Sequence, residues 1–539
     1  MSGGAPRKGR AMGMLWLEKN YWVVSMCYWL AALSAIIFTS LRMNHGVFIY
    51  SLDDPYIHMA VAENIVRGTY GVNLGEFSAP CSSVVWPFLL APFALLPVFD
   101  VVPLLLNVLF AGAFFYVLFR MFEDVPLFME HPLIASILLF ILAVFGNTIY
   151  VVMMGMEHMA HILVTCIIAW GVTRMLRDAP LPRFFWVALV LCPLIRYEGL
   201  AISLPVMALA WLLGHRRQAG MAFAFITLSL LAFSGYLAWH GQGFLPGSVV
   251  AKSNSQWAGQ SMDALLRVNV NDKQSIWEAF LAFISVIAAK SKYSAANVIY
   301  SLAILATVCS CRLLSPRRVG LLALSFLIIL LLYLTFGQFS CRYVAFLNTY
   351  IAIICTFYLF SLLHDAKKQH IVAALFIVTM VYVTYPHVKQ LCLVPVESNN
   401  IYEQQYHMSL LARKYYKKPV AVNDIGMVSY RNDNYVLDLY GLASRECLKH
   451  RMFTRGPSWI EEVAREHDTE LVMIYDHWFC HRPASFVKIA ELRLSYPSVA
   501  TAGAEVSIYT FDWADTATVR KAVEAFAADV RGRIHVDIY

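Results

Sequence analysis

Long apolar stretches dominate the chain up to about residue 390 and predict transmembrane helices. A helix needs roughly 20 apolar residues to cross the hydrocarbon core of a bilayer. We predict about eleven spans, at 21–41, 101–121, 132–153, 158–175, 183–196, 199–213, 219–240, 292–311, 319–337, 343–363 and 370–386. The predicted fold class is therefore a polytopic α-helical membrane protein.

Some apolar stretches are too short or too rich in proline for an ordinary span. Residues 83–97 contain three prolines, and we predict an external helix at the membrane interface. Segments 183–196 and 199–213 meet at Arg196-Tyr197-Glu198-Gly199. We interpret them as a broken pair, because irregular backbone at membrane depth is tolerated where it borders a cavity.

Basic residues in short loops set the predicted orientation. Four of them precede residue 20, so the N-terminus is expected to be cytoplasmic by the positive-inside rule. Basic loops around Arg174, Arg217 and Arg318 then fall on the same side. This threading puts residues 41–100, the loop 241–290 and the C-terminus outside. The predicted location is the cell (inner) membrane, with a multi-pass chain in contact with membrane lipid.

The pattern changes after about residue 395. Short apolar runs alternate with helical periodicity, which is typical of a small α/β domain. The strand-like runs are 419–422, 435–439, 470–475 and 505–511, and the helical segments are 401–416, 458–467 and 516–531. We predict a transmembrane domain over 1–390 and an extracytoplasmic α/β domain over 391–539.

Composition supports this division. The chain is 59% hydrophobic and 14% charged, with a mean hydropathy of +0.59, whereas soluble domains carry about 25% charged residues. The net charge of +7 lies largely in short loops, so no nucleic-acid partner is predicted. Cysteines within apolar spans are expected to be inert, and Cys447 and Cys480 are the candidates for a pair outside the cytoplasm.

Two consecutive aspartates, Asp53 and Asp54, directly follow the first span. Pro55 suits a first helical position, and the residues after it predict an amphipathic helix. Asp54 is expected to cap this helix, which needs only one carboxylate. Asp53 is then left over, and we predict that at least one of the two is catalytic.

Other polar residues are predicted to gather at the same external face. A charged side chain in mid-bilayer costs about 2.5–3.5 kcal/mol, so those that persist near spans usually face a cavity. The predicted substrate-binding residues are His58, Glu157, Arg196, Glu198, Lys252 and Arg342. Arginine and lysine among them would suit a lipid phosphate.

Structural alternatives exist for several of these residues. Glu157 would cap the span that begins at residue 158, although its predicted place at the lip of the external face also suits a functional role. His158 and His161 are interpreted as packed polar residues rather than metal ligands. The arginines would snorkel to the interface, and Arg196 would pair locally with Glu198.

Taken in order along the chain, these stretches resemble the GT-C superfamily of integral-membrane glycosyltransferases, and most nearly its mycobacterial arabinofuranosyltransferase-like members. The matching stretches are Asp53-Asp54-Pro55-Tyr56-Ile57, Ala62-Glu63-Asn64-Ile65-Val66-Arg67-Gly68, Ala79-Pro80-Cys81-Ser82-Ser83-Val84-Val85-Trp86, Gly155-Met156-Glu157, Arg196-Tyr197-Glu198-Gly199, Leu245-Pro246-Gly247-Ser248 with Ala251-Lys252, Arg342-Tyr343, Asn423-Asp424-Ile425-Gly426 and Leu437-Asp438-Leu439-Tyr440-Gly441-Leu442. The chain departs from the family at Gly247, where asparagine is usual, at Tyr197, where proline is usual, and at His58, where a hydroxyl residue is usual. These departures bear on which sugar is transferred more than on the fold.

The resemblance implies a polyprenyl-phosphate-linked sugar as donor and a glycan, lipid or protein acceptor of the cell envelope. It also implies an essential aspartate in the first external loop. We expect an inverting transfer with Asp53 or Asp54 as general base, and with Lys252 and Arg196 or Arg342 at the phosphate. No cofactor is required by this reading, and a divalent cation is left open. The alternatives are a transporter or flippase of a lipid-linked sugar and an inactive accessory subunit with the same fold.

Overall fold

The computed structural model describes residues 12–253, 314–336, 341–361, 366–454, 456–479 and 481–539. Within these ranges, seven helices are long and apolar enough to cross a membrane: Lys19–Met43, Phe99–Phe122, His158–Met175, Arg216–Trp239, Pro316–Tyr333, Arg342–Ser361 and His370–Tyr416. The chain is a membrane protein. The predicted count of eleven spans is not confirmed, because 132–153, 183–196 and 199–213 form shorter apolar helices and 292–311 lies outside the described residues.

The membrane region is almost entirely helical. Its helices are α1 Met12–Met43, α2 Asp54–Val66, α3 Trp86–Leu90, α4 Val102–Phe122, α5 Pro126–Glu130, α6 Pro132–Phe145, α7 Thr148–Met153, α8 His158–Met175, α9 Phe185–Ile195, α10 Leu200–Leu212, α11 Arg216–Trp239, α12 Gly247–Ser253, α13 Pro316–Phe336, α14 Cys341–Ser361 and α15 Ala366–Ile401. Short 3₁₀ turns lie at Ala91–Phe93, Phe99–Val101 and Tyr197–Gly199.

The helices are interrupted at small residues and at residues with unusual backbone conformations. A 3₁₀ turn separates α9 from α10, as the broken pair predicts. Gly199 packs so closely on the Cys192 backbone that a Cβ would overlap it. The predicted span 132–153 is divided at Gly146 and Asn147, and Asn147 adopts a left-handed conformation with φ of 54°.

The last membrane helix leads directly into the C-terminal domain. Helix α15 extends well past residue 386, the predicted end of this span, and continues without interruption through a mixed π- and α-helical segment over 402–416. The predicted domain boundary after residue 390 falls inside this helix, so the connection is continuous helix rather than a loop.

A mixed six-stranded sheet forms the centre of the C-terminal domain. The strands are β1 Val420–Val422, β2 Val436–Asp438, β3 Leu471–Ile474, β4 Phe486–Arg493, β5 Glu505–Phe511 and β6 His535–Ile538, in the order β2-β1-β3-β5-β4-β6. The first three pair in parallel and the rest pair antiparallel. Four helices complete the domain: α16 Gly426–Ser429, α17 Arg445–Phe453, α18 Ser458–Glu466 and α19 Thr516–Val530. Strands β4 and β6 are additions to the sequence prediction. Strand β6 leaves most of its side chains exposed, so it lacks a buried apolar face.

One apolar core joins the C-terminal domain to the segment after the first span. Tyr56 and Ile57 of α2 belong to the same buried cluster as Ile425 and Met427. At the edge of this contact, Arg431 Nη1 lies 3.0 Å from Asp100 Oδ2. The packing presses the Asp53-Asp54 pair against the C-terminal domain.

Candidate active site

A cavity of about 250 Å³ lies between the first external segment and the C-terminal domain. Asp53, Asp54 and Arg342 line its membrane side. The C-terminal side is lined by Gln405, Asp424, Leu442, Trp478 and residues 500–502, among others. Three of the predicted site residues therefore meet in one cavity with side chains from a distant part of the chain.

The Asp53 carboxylate connects the two domains. Its Oδ2 accepts a hydrogen bond from the backbone N–H of Gly426 at 2.7 Å, and its Oδ1 accepts one from Met427 at 2.8 Å. These N–H groups begin the short helix α16 and have no partner within it. Only glycine fits at position 426, because a Cβ there would overlap the Asp53 carbonyl oxygen.

This arrangement corrects the predicted capping role. Asp53, not Asp54, occupies the position that precedes α2, and its side chain forms no cap with that helix. Asp54 is the first helical residue. The reason is that Asp53 already has a helical φ and ψ (−80°, −30°), whereas a capping residue normally adopts an extended conformation. Its carboxylate serves a different helix.

Burial makes Asp53 a weak acid. Burial, and next the neighbouring Asp424 carboxylate, raise the pKa of Asp53 to about 8, although its two backbone hydrogen bonds act in the opposite direction. Burial is also the main cause that raises the pKa of Asp424 to about 6. A carboxylate with a pKa near neutrality is suited to accept a proton during catalysis.

Arg342 supplies a cation at the same cavity. Its Nη1 lies 2.8 Å from Asp54 Oδ2, and its Nη2 donates to the Tyr343 hydroxyl at 3.1 Å. The Arg342 and Asp54 side chains are 19% and 24% exposed, so this pair remains accessible from the cavity.

The other predicted charges form a separate buried cluster. Arg196 lies between Glu157 and Glu198, with N–O distances of 2.6 Å and 3.0 Å. Ser82 Oγ donates to Glu157 at 3.3 Å, and His58 Nε2 lies 3.8 Å from the same carboxylate. The predicted Arg196–Glu198 pair is present. None of these four charged or ionisable residues is among the described residues that line the cavity, and their predicted contact with substrate stays a prediction.

Glu157 differs from both sequence interpretations. It is fully buried rather than at the lip of the external face. It precedes α8, but its side chain forms no cap, since its carboxylate pairs with Arg196 instead.

Tyr343 connects the buried cluster to the cavity. The guanidinium groups of Arg196 and Arg342 each lie 4.8 Å from the centre of its ring. Cations held against an aromatic face are stabilised by the ring quadrupole. Tyr343 thus contacts both guanidinium groups, and its hydroxyl accepts a hydrogen bond from Arg342 at the cavity wall.

The remaining candidates have other surroundings. His161 stacks on Phe346 at 4.0 Å and lies 3.4 Å from Cys192 Sγ, and the His158 ring meets the Tyr343 ring edge at 5.9 Å. Within the described residues, no three His, Cys, Asp or Glu side chains are grouped to hold a metal ion. The backbone of Lys252 belongs to α12, but its side chain lies outside the described residues, as does Cys480.

Sequence reasoning assigned no role to Gln405, Asp424 or Trp478. Asp424 belongs to Asn423-Asp424-Ile425-Gly426, one of the stretches that resemble the glycosyltransferase family, so the sequence contains a signal for this residue. Gln405 and Trp478 follow no motif. Their place in the cavity depends on how the sheet packs against the end of α15.

Comparisons with known proteins gave a few matches. A family model described as a domain of unknown function (DUF8728) matches residues 399–509, which covers only the C-terminal part of the chain. A comparison with curated protein sequences returned no match. The predicted nearness to mycobacterial arabinofuranosyltransferase-like proteins stays a prediction.

Two solved structures of the Archaeoglobus fulgidus oligosaccharyltransferase are similar in overall chain path. The apo form aligns with a TM-score of 0.44 at 11% identity, over 88% of this chain and 74% of that chain. The complex of that enzyme with zinc and sulfate aligns with a TM-score of 0.47 at 13% identity, over 89% of this chain and 73% of that chain.

Proposed function

We propose that this protein is an inverting glycosyltransferase that moves a sugar from a polyprenyl-phosphate donor to an acceptor on the extracytoplasmic side of the membrane. The observation that carries the proposal is the cavity itself. It combines the carboxylate of Asp53 with the cation of Arg342, which lies at the end of a membrane helix. Residues of the C-terminal domain line the opposite wall. The order of the sequence motifs supports the same class of enzyme.

Asp53 is the proposed general base. It accepts the proton of the acceptor hydroxyl while that oxygen attacks the anomeric carbon of the donor sugar. The bond from the anomeric carbon to the phosphate oxygen breaks, and polyprenyl phosphate leaves with the bonding electrons. Two backbone hydrogen bonds keep the Asp53 carboxylate oriented, and its raised pKa of about 8 makes it a stronger proton acceptor than an ordinary aspartate.

Arg342 is the proposed phosphate-binding residue. Negative charge accumulates on the departing phosphate, and a preorganised guanidinium stabilises that charge. Asp54 and Tyr343 orient the guanidinium. Lys252 is proposed as a second cation for the phosphate. Arg196 is proposed to act only through Tyr343, because two carboxylates already neutralise it.

Replacing each aspartate with asparagine tests the assignment. We expect Asp53→Asn to insert and fold but to lose transfer by about 10²–10⁴-fold, the usual contribution of a general base. Asp54→Asn should retain more activity. The assay follows release of polyprenyl phosphate from a panel of polyprenyl-phosphate pentoses and hexoses by the purified full-length protein.

Asp433→Asn is the matched control. Asp433 is exposed and pairs with Arg67, and neither residue lines the cavity. Thermal unfolding in detergent verifies that each variant is folded. Normal transfer by both aspartate variants would show that the pair is structural. If the wild-type protein consumes no donor from the panel, an inactive accessory subunit becomes the better account.

A further inference from the structure

We propose that the C-terminal wall of the cavity is the acceptor subsite, and that it binds a carbohydrate through Trp478, Gln405 and Asp424. This inference rests on the proposed function and names the class of acceptor for that same site. Four features of the wall support it. They are an indole at the cavity surface, an amide oxygen without a donor among the described residues, a loop fixed by hydrogen bonds, and the negative charge of Asp424.

Trp478 is held rigidly at the cavity. It ends a 3₁₀ turn, Asp476–Trp478, whose first carboxylate accepts hydrogen bonds from Ser507 Oγ at 3.0 Å and from the Tyr509 hydroxyl at 2.9 Å. The indole packs beside the Tyr440 ring at 4.8 Å. An aromatic face beside polar side chains provides an apolar surface on which the C–H face of a sugar ring can stack.

Gln405 offers a hydrogen-bond acceptor. Its amide nitrogen donates to Asp424 Oδ2 and to the Tyr475 hydroxyl, both at 2.9 Å. The Tyr475 hydroxyl donates in turn to Gln404 Oε1 at 2.9 Å, so the amide orientation of Gln405 is determined by its partners. Its Oε1 is buried and has no donor among the described residues. Buried polar atoms normally have a partner. Because Gln405 lines the cavity, a ligand hydroxyl is the candidate donor to this oxygen.

Residues 500–502 of the loop between β4 and β5 also line this wall, and side chains of the preceding helical segment fix the loop. Asn400 Oδ1 accepts from the Val499 N–H at 2.8 Å, and Glu403 Oε2 accepts from the Ser495 N–H at 2.7 Å. Gln404 Nε2 donates to the Gly503 carbonyl at 3.1 Å. These side chains flank Gln405 on one helical segment, so the wall and its polar contacts are ordered together. A preorganised wall lowers the entropic cost of binding.

The charges favour hydroxyl groups over anionic groups. Gln405 Oε1 and the Asp424 carboxylate are acceptors, so a ligand here must bring hydrogen-bond donors. Arg342 pairs with Asp54 on the membrane side, whereas the described residues that line the C-terminal wall include the carboxylate Asp424 and no cation, which would disfavour a phosphate or carboxylate there. A carbohydrate supplies several hydroxyl donors on one ring together with an apolar face, and it therefore matches this wall.

Glycan binding without donor tests the subsite. The probe is surface glycan isolated from a strain that lacks this protein, because that glycan would not yet carry the sugar that the protein is proposed to add. Binding to purified full-length protein in detergent is measured by biolayer interferometry. We expect Trp478→Ala to weaken binding by about tenfold or more, the range of a central aromatic contact, and Trp478→Phe to retain most of it. Trp513→Ala is the matched control, because this indole stacks on Phe511 away from the cavity.

The outcomes separate this inference from the proposed function. Asp433→Asn should bind the glycan as the wild type does, since Asp433 is exposed and does not line the cavity. Wild-type affinity in both Trp478 variants would overturn the subsite. Transfer to a peptide or lipid without affinity for the glycan would overturn the carbohydrate class. If the glycan binds through Trp478 but no donor is consumed, the subsite stands and the proposed reaction fails.

Discussion

Replacing Asp424 with asparagine should move the pH dependence of sugar transfer to lower pH. In the wild type, the pKa of Asp53 is raised to about 8 by burial and by the Asp424 charge. A general base acts only when it is ionised, so kcat/KM should rise with pH and level off above about pH 8. The pKa of Asp424 is about 6, so Asp424 is charged across the range in which Asp53 loses its proton. Without that charge, Asp53 should ionise more readily.

The size of the shift follows from the contact between the two segments. Asp53 Oδ2 lies 2.7 Å from the amide nitrogen of Gly426, which is two residues after Asp424. With about 3.8 Å between successive Cα atoms, we take a separation of roughly 8 Å between the two carboxylates for this calculation. Like charges at that distance repel by about 2 kcal/mol at an effective dielectric constant of about 20. That energy corresponds to about 1.5 pH units.

The assay is kcat/KM for the donor across about pH 5 to 9.5, because this parameter reports the ionisation of the free enzyme. We expect the acid limb of Asp424→Asn to lie about 1–1.5 units below that of the wild type. Asp468→Asn is the control, since Asp468 is exposed and has a left-handed backbone that asparagine accepts well. An acid limb that stays in place in Asp424→Asn would refute the assignment of Asp53 as the base that Asp424 perturbs.

Three other predictions concern separate parts of the molecule. Lys252→Ala should raise KM for the donor and lower kcat, while Lys252→Arg keeps part of the activity; wild-type kinetics in the alanine variant would remove this lysine from the site. Arg196→Leu should destabilise the fold by about 3–5 kcal/mol, because it leaves the buried Glu157 carboxylate and the partly buried Glu198 carboxylate without their cation, and an unchanged thermal unfolding transition would contradict this. Cysteines placed at the exposed positions Leu74 and Asp433 should react with an impermeant reagent in intact cells; reaction only after permeabilisation would reverse the predicted orientation.

Much of the secondary structure was accessible from the sequence, because hydropathy and periodicity are local properties. The span predicted at 158–175 coincides with helix His158–Met175, and the strand predicted at 505–511 coincides with Glu505–Phe511. The break between α9 and α10 was also predictable, since two short apolar runs meet at a polar turn. In these cases the chain's own pattern is sufficient, and tertiary packing does not override it.

The site was predictable only in part. The sequence identified Asp53, Asp54 and Arg342 as chemically unusual residues near the ends of spans, and all three line the cavity. It treated Glu157 and Arg196 in the same way, although they form a buried ion cluster outside the cavity. A charge near a span end has the same local signature in both situations, so sequence alone does not separate a substrate contact from an internal ion pair.

Only the tertiary structure decided what the aspartate pair does. The sequence predicted a helix cap for Asp54, whereas Asp53 caps a helix that begins 373 residues away. Gln405, Asp424 and Trp478 reach the cavity for the same reason: the core that joins α2 to the C-terminal domain brings them there. Hydropathy selects which segments become helices or strands, because each residue contributes independently to that pattern. Contacts between remote segments depend on how the complete apolar core packs, and no short window of sequence contains that information.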